Sequence, residues 1–157
     1  MKLRENAVMF LATGFFIGNI PFAPGTFGTL MGLPLCFALS GISLAPAVLC
    51  TFLFIFFAVY IADAAEKLLK RSDPGCIVID EMAGMMVTLI GLPFNPITVV
   101  IGFIIFRILD IWKPFPIRNL DRWIPGGLGV VADDVAAGII ANLLLRIIIQ
   151  ILKGTQL

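Results

Sequence analysis

The chain has 157 residues, of which 60% are apolar and only 13% charged, with a net charge of +1. Soluble domains carry about 25% charged residues, and here positions 6–62 and 82–106 contain none. This composition excludes an ordinary soluble domain and gives no indication of nucleic-acid binding. It predicts an integral membrane protein formed by a single domain, residues 1–157.

Long apolar runs separated by glycine and proline predict an all-α fold. The first helix is expected over residues 5–18, a Pro/Gly loop over 21–29, and a second helix over 29–39. A third helix begins at Leu44, and its charged last turns, up to Lys70, predict that it emerges into water. The remaining predicted elements are helices over 77–92 and 97–112, an extended segment at 113–118, a glycine loop at 126–129, and a last helix that begins at Asp133-Asp134 and ends near Leu152.

Two of the apolar segments are short. Residues 82–92 and 97–107 each extend about 16 Å at ~1.5 Å per residue, whereas a full span needs roughly 20 residues. They therefore predict a tight hairpin that turns at 93–96, and a second hairpin is expected to turn at Gly41. This topology gathers every charged segment and both glycine loops at one face of a membrane-embedded bundle of short helical hairpins. Basic residues mark that face as cytoplasmic: Lys67, Lys70, Arg71, Lys113, Arg118 and Arg122.

Five carboxylates adjoin the apolar runs, where an ionised acid is costly without a partner. Adjacent acids at a predicted helix start also fit simple capping and helix-dipole complementarity. Their grouping on one face favours a divalent metal site, and a ligand set made of oxygen atoms suits Mg²⁺. Small residues that follow the acids at helical spacing, such as Gly84 and Gly138, predict a close approach of two helices. The five acids are Asp80, Glu81, Asp110, Asp133 and Asp134.

Other kinds of catalytic site are excluded by composition. The chain has no histidine, which excludes Ser-His-Asp triads and histidine-ligated metals. Its cysteines are odd in number and irregularly spaced, so they predict neither a disulfide framework nor a zinc site. Acid–base and metal chemistry must therefore involve carboxylates, lysine or water.

Basic residues and a glycine-rich segment are candidates for binding an anion. Arg107 and Asp110 are spaced to form an internal ion pair, although Arg107 could equally contact a substrate. Lys113 and Arg118 fit either a basic loop on anionic lipids or a phosphate clamp. The segment that contains Gly25, Thr26 and Gly28 fits either an ordinary turn or a helix start whose amides bind phosphate.

The chain contains four characteristic strings: PFAPGTFGT at 21–29, IVIDEMAG at 77–84, FRILDIWKPFPIR at 106–118 and GGLGVVADDVAAG at 126–138. In order and over nearly the whole chain, these strings resemble the phosphatidylglycerophosphatase A family of bacteria. The resemblance implies a multi-pass, Mg²⁺-dependent enzyme of the bacterial inner membrane whose active site faces the cytoplasm. Such an enzyme removes the terminal phosphate of phosphatidylglycerophosphate and leaves phosphatidylglycerol.

The resemblance also implies roles for residues. The five carboxylates would form the catalytic and metal-binding set, and the substrate would contact Gly25, Thr26, Gly28, Arg107, Lys113 and Arg118. The attacking group is open between a metal-activated water and an aspartate nucleophile. A cation transporter or ion-pathway protein is the alternative function, because intramembrane acids also bind and pass cations. The sequence does not indicate an oligomeric state.

Overall fold

The computed structural model describes residues 2–115 and 117–154, with the side chains of residues 120–122 and 153 left aside. Within these ranges the chain forms helices and no strand, which confirms the predicted all-α class. The basic Arg122 side chain lies outside the described residues. The elements are α1 (Leu3–Ala12), a short 3-10 helix (Ile17–Asn19), α2 (Pro24–Ser40), α3 (Leu44–Leu69), α4 (Ile79–Leu89), α5 (Pro96–Trp112), α6 (Ile117–Trp123) and α7 (Gly127–Gly154).

Helices α2 to α5 alternate in direction, so the charged segments meet at one end of the bundle. Leu44, at the start of α3, lies beside Gly91 just after α4, whereas Asp63, near the end of α3, lies beside Gly127 at the start of α7. Arg107, near the end of α5, lies close to Glu81 at the start of α4. We call this the charged end; it is the grouping that the segment lengths predicted.

The two predicted hairpins differ in how their helices pack. α4 and α5 contact each other after the turn at 93–96, as expected. α2 and α3 are joined by a tight turn at Gly41, but α2 packs mainly on α4. The reason is Gly32, whose missing side chain lets α2 approach Met82 and Met85 closely.

Both predicted glycine loops are largely helical, which corrects two helix starts. α2 begins at Pro24, a residue favoured in the first helical turn because it lacks an N–H. α7 begins at Gly127, so Asp133-Asp134 lies in its second turn and does not open it. The glycines serve close helix packing: a Cβ on Gly127 would lie 2.4 Å from the Val59 carbonyl oxygen of α3.

The predicted first helix is also too long, because α1 ends at Ala12. Gly14, Phe15 and Phe16 have φ between 53° and 68°, a left-handed backbone that ends a right-handed helix. The Thr13 hydroxyl supports this turn by donating to the Met9 carbonyl and accepting the Phe16 N–H. A smaller correction falls at 113–118, where α6 already begins at Ile117.

Among the described residues, α4 and α7 share the most extensive contact between two helices. A Cβ on Gly138 would lie 2.5 Å from the Gly84 carbonyl oxygen, and one on Gly84 would lie 2.5 Å from the Phe106 ring of α5. Phe106 is fully buried and fills the space that Gly84 leaves open. The predicted close approach of the helices behind the acids is therefore confirmed.

The outer surface of the bundle is strongly apolar. α3 over Leu44–Leu69 and α7 over Gly127–Leu152 are long and apolar enough to cross a membrane. Large side chains such as Phe52 and Phe56 on α3 and Ile147 on α7 are more than half exposed. Exposed apolar surface of this extent is typical of contact with lipid.

We expect Gly138→Ala to destabilise the protein by about 1–3 kcal/mol, because the added methyl group forces α7 away from α4. Thermal unfolding in detergent micelles measures the effect. Gly75→Ala is the matched control, since a Cβ there meets nothing within 4 Å. Equal unfolding temperatures for the two variants would contradict the close packing of α4 on α7.

Candidate active site

Three of the five predicted carboxylates come together at the charged end. Asp80 and Glu81 lie in the first turn of α4, and Asp134 lies in the second turn of α7. One ligand oxygen from each lies within 4.8 Å of the others. Asp80 and Asp134 are buried, with 7% and 3% exposure, and the Glu81 side chain is 14% exposed.

Local backbone contacts position this cluster. The Val78 N–H donates to the Ala12 carbonyl at 2.8 Å, which ties the start of α4 to the end of α1. The crossing of Gly84 and Gly138 lies one turn further along and brings α7 close enough for Asp134 to reach Glu81. Capping can account for acids in the first turn of α4, but not for Asp134 in the interior of α7.

Each of the three acids has a buried oxygen without a hydrogen-bond partner. The atoms are Asp80 Oδ1, Glu81 Oε2 and Asp134 Oδ2. Buried carboxylate oxygens are nearly always satisfied, because desolvating them without compensation is costly. Oxygens that converge in this way, with no histidine or cysteine among them, form a donor set that suits a hard divalent cation.

Burial and mutual repulsion also shift the titration of the acids on α4. Burial, followed by the charge of Glu81, raises the pKa of Asp80 well above its usual range. Burial raises the pKa of Glu81 to about 8; a hydrogen bond with Asp80 and the charge of Arg107 oppose the effect, whereas the charges of Asp134 and Asp110 add to it. Without a cation, the cluster therefore tends to hold protons.

The other two carboxylates pair with basic residues at the edge of the cluster. Arg107 on α5 forms an ion pair with Asp110 and lies 3.9 Å from Glu81. Lys113, just after α5, forms an ion pair with Asp133 of α7. The five predicted acids thus divide into a cluster of three and two neighbouring acids that each form an ion pair with a basic side chain.

Within the described residues, the glycine segment meets the carboxylate cluster at Gly25. A Cβ there would lie 2.3 Å from Glu81 Oε1 and 3.0 Å from both terminal nitrogens of Arg107. Gly28 instead packs against Val78 of the α4 entry, and the Thr26 N–H is donated to the Ala23 carbonyl. The structure thus brings Gly25, but not Gly28, into contact with the cluster.

Arg118 lies on α6 with an exposed side chain, and no contact with the cluster is seen in the described residues. Two polar residues of α7, Asn142 and Arg146, were missed by the sequence analysis. Both hydrogen-bond to the end of α4. Their signal was the regular spacing of polar and small residues from Asp134, at every fourth position of α7.

Comparison with known proteins gives a consistent family. A family model described as phosphatidylglycerophosphatase A matches residues 10–149. The chain is 42% identical to phosphatidylglycerophosphatase A of Escherichia coli (strain K12), over 83% of this chain and 77% of that protein. It is 36% identical to phosphatidylglycerophosphatase A of Haemophilus influenzae, over 87% of this chain and 85% of that protein.

A third relative has a different name. The chain is 35% identical to a Bacteroides thetaiotaomicron protein provisionally named a phosphatidylinositol-3-phosphatase, over 94% of this chain and 96% of that protein. No solved structure matches the chain. With the family model covering most of the sequence and the buried carboxylate cluster falling inside the matched region, the chain belongs to the phosphatidylglycerophosphatase A family.

Proposed function

We propose that this protein hydrolyses the terminal phosphate of phosphatidylglycerophosphate, with the help of Mg²⁺, to give phosphatidylglycerol and phosphate. The family supports the reaction. The single observation that carries the site is the convergence of three largely buried carboxylates with unpaired oxygens next to a largely buried arginine. The domain that performs the reaction is the whole chain, residues 1–157.

The residues fit a Mg²⁺ site. Asp80, Glu81 and Asp134 would supply oxygen ligands, which is the donor type that Mg²⁺ prefers. When bound, Mg²⁺ polarises phosphoryl oxygens and neutralises the charge that develops on them. Asp110 and Asp133 would complete the site from its edge, each already held by a basic partner.

The basic partners suit the rest of the phosphate. Arg107 lies between Glu81 and Asp110, and its Nε is buried without a hydrogen-bond partner. A phosphate oxygen would satisfy that nitrogen through a charge-assisted hydrogen bond. Lys113 would add positive charge from the other edge, and the exposed Arg118 would attract the anionic head group from a greater distance.

Residues at the charged end also support an orientation in the membrane. We propose a multi-pass protein of the bacterial inner membrane, with the charged end at the cytoplasmic surface. Lys67, Lys70 and Arg71 follow the apolar part of α3 there, as the positive-inside rule requires. Trp112 and Trp123 are 78% and 76% exposed near that end, as interfacial tryptophans are. The acyl chains of the substrate would stay in the bilayer while its head group reaches the cluster.

Cation transport, the alternative function, has weaker support. Transport sites lie near the membrane midplane between broken helices. Here the acids lie at one end of the bundle, and α7 passes through Asp134 without a break. The relatives named as lipid phosphatases also favour hydrolysis.

Purified protein in detergent should release phosphate from phosphatidylglycerophosphate when Mg²⁺ is present and lose this activity with excess EDTA. Phosphatidylinositol 3-phosphate is the second substrate to test, because one relative carries that name. We expect the faster release from phosphatidylglycerophosphate. Phosphate release that is unaffected by EDTA would exclude the metal, and release from neither lipid would exclude the reaction.

Glu81→Gln and Asp134→Asn should each lower turnover by about 100-fold or more. Even the mutation of a residue that only hydrogen-bonds to a metal ligand lowers metal affinity or activity by about 10–100-fold. Each change keeps the shape of the side chain and removes its negative charge. Asp63→Asn is the control: Asp63 pairs with Lys67 on the exposed side of α3, away from the three clustered acids. Near-normal turnover of either cluster variant at saturating Mg²⁺ would remove that residue from the ligand set.

Gly25→Ala should lower turnover by about 100-fold, because the new methyl group displaces Glu81 or Arg107 by the order of an ångström. Gly41→Ala, at the other end of α2, is the matched control, since a Cβ there lies 3.8 Å from its nearest neighbour. Phosphate release by the two folded variants is compared. Equal activity would show that catalysis does not require the positions that Glu81 and Arg107 occupy beside Gly25.

A further inference from the structure

A buried asparagine on α7 holds the end of α4. Asn142 is 8% exposed, and the two hydrogens of its amide nitrogen are shared among the carbonyls of Val87, Thr88 and Ile90, at N···O distances of 3.2, 2.9 and 3.0 Å. Its amide oxygen accepts a hydrogen bond from Arg146 Nε at 2.8 Å, which fixes the orientation of the amide group. The side chain is therefore fully used, and mainly by one neighbouring helix.

Arg146 completes the contact. Its Nη2 donates to the Ile90 carbonyl at 3.1 Å. Gly91 adopts a left-handed φ of 67°, and a Cβ there would lie 2.9 Å from Arg146 Nη2. The glycine thus makes room for the guanidinium at the point where α4 ends.

The bonds have a physical reason. A helix leaves its last carbonyls without partners inside the helix, and in apolar surroundings an unsatisfied carbonyl is costly. The Leu89 carbonyl accepts a hydrogen bond from the Leu92 N–H, in the turn that follows α4. The carbonyls of Val87, Thr88 and Ile90 find their hydrogen-bond donor on α7. These bonds fix the position of the end of α4 along the axis of α7.

The same two helices carry the carboxylates at their other end. Glu81 and Asp134, Gly84 and Gly138, and Thr88 and Asn142 face each other at successive levels. The two members of each pair are 53 or 54 positions apart in the sequence, so α4 and α7 run parallel in one fixed register. A slip of one residue would move Asp80 and Glu81 about 1.5 Å relative to Asp134.

We propose that Asn142 and Arg146 are positioning residues that set the separation of the carboxylates on α4 from Asp134. Apolar side chains at these positions would pack the helices together without fixing their axial register, whereas the hydrogen bonds form at only one register. Metal–ligand distances tolerate errors of only about 0.2 Å. Loss of the register therefore lowers the affinity for the metal ion more than it lowers the stability of the fold. The inference rests on the metal-binding part of the proposed function.

The test uses Asn142→Leu in the full-length protein in detergent. Leucine has nearly the shape of asparagine and suits an apolar helix, but it cannot bond to the three carbonyls. Binding of Mn²⁺, a probe for the Mg²⁺ site, is measured from the loss of its free electron paramagnetic resonance signal. We expect its dissociation constant to rise about tenfold or more, with a similar rise in the Mg²⁺ concentration for half-maximal turnover. The KM for lipid at saturating Mg²⁺ should stay within about twofold of the wild-type value.

Two further variants separate positioning from general loosening. Leu145→Ala removes a fully buried side chain from the same helix and leaves the hydrogen bonds in place. It should lower the unfolding temperature more than Asn142→Leu, yet keep the wild-type affinity for Mn²⁺. Arg146→Lys should retain more affinity than Arg146→Gln, because only lysine keeps a charged donor for the Ile90 carbonyl.

Unchanged Mn²⁺ affinity in Asn142→Leu would overturn the inference, and so would an equal loss of affinity in Leu145→Ala. A wild-type protein that fails to bind Mn²⁺ would overturn it as well. Mn²⁺ binding by the wild type, with the expected loss in Asn142→Leu but no phosphate release from lipid, would remove only the proposed reaction. The two failures are therefore distinguishable.

Discussion

The close parallel contact of α4 and α7 is the constraint on which the site depends. Gly138 lies against the backbone of Gly84, so no side chain separates the two helices there. An acid on either helix alone would face apolar surroundings, where an uncompensated carboxylate is costly in free energy. With both backbones at close range, Asp134 of one helix and Asp80 and Glu81 of the other share one volume. Helix packing, which is usually discussed as a source of stability, here brings the carboxylate oxygens together.

The charges around this contact are arranged in two layers. Asp80, Glu81 and Asp134 converge on one point, whereas Asp110 and Asp133 beside them form ion pairs with Arg107 and Lys113. Such an arrangement concentrates negative charge at one point and places positive charge beside it, where the cation and the phosphate of the proposed reaction would bind. It also limits the repulsion among five acids in an apolar bundle, because two of them are already neutralised.

Much of this could be predicted from the sequence, because the chemistry is written in residue type and spacing. The apolar runs gave the helix class, and the segment lengths placed Asp80, Asp110 and Asp133 at one end. The helix starts were wrong because glycine was interpreted as a loop former at Gly25 and Gly127, where it serves close packing instead. The division of the five acids was also out of reach, since it depends on which side chain reaches Arg107 or Lys113 in three dimensions.

The aromatic ring of Phe106 has a consequence for electrostatics. It occupies the hollow over Gly84 and is fully buried, so α5 cannot rotate about its own axis without expelling the ring. The next residue, Arg107, therefore presents its charge in a fixed direction, toward Glu81 and Asp110. A charge that is already oriented needs no reorganisation when a phosphate arrives, and such preorganisation is the largest source of transition-state stabilisation in many enzymes. In the proposed reaction, the apolar side chain of Phe106 would thus keep the Arg107 guanidinium oriented toward the phosphate.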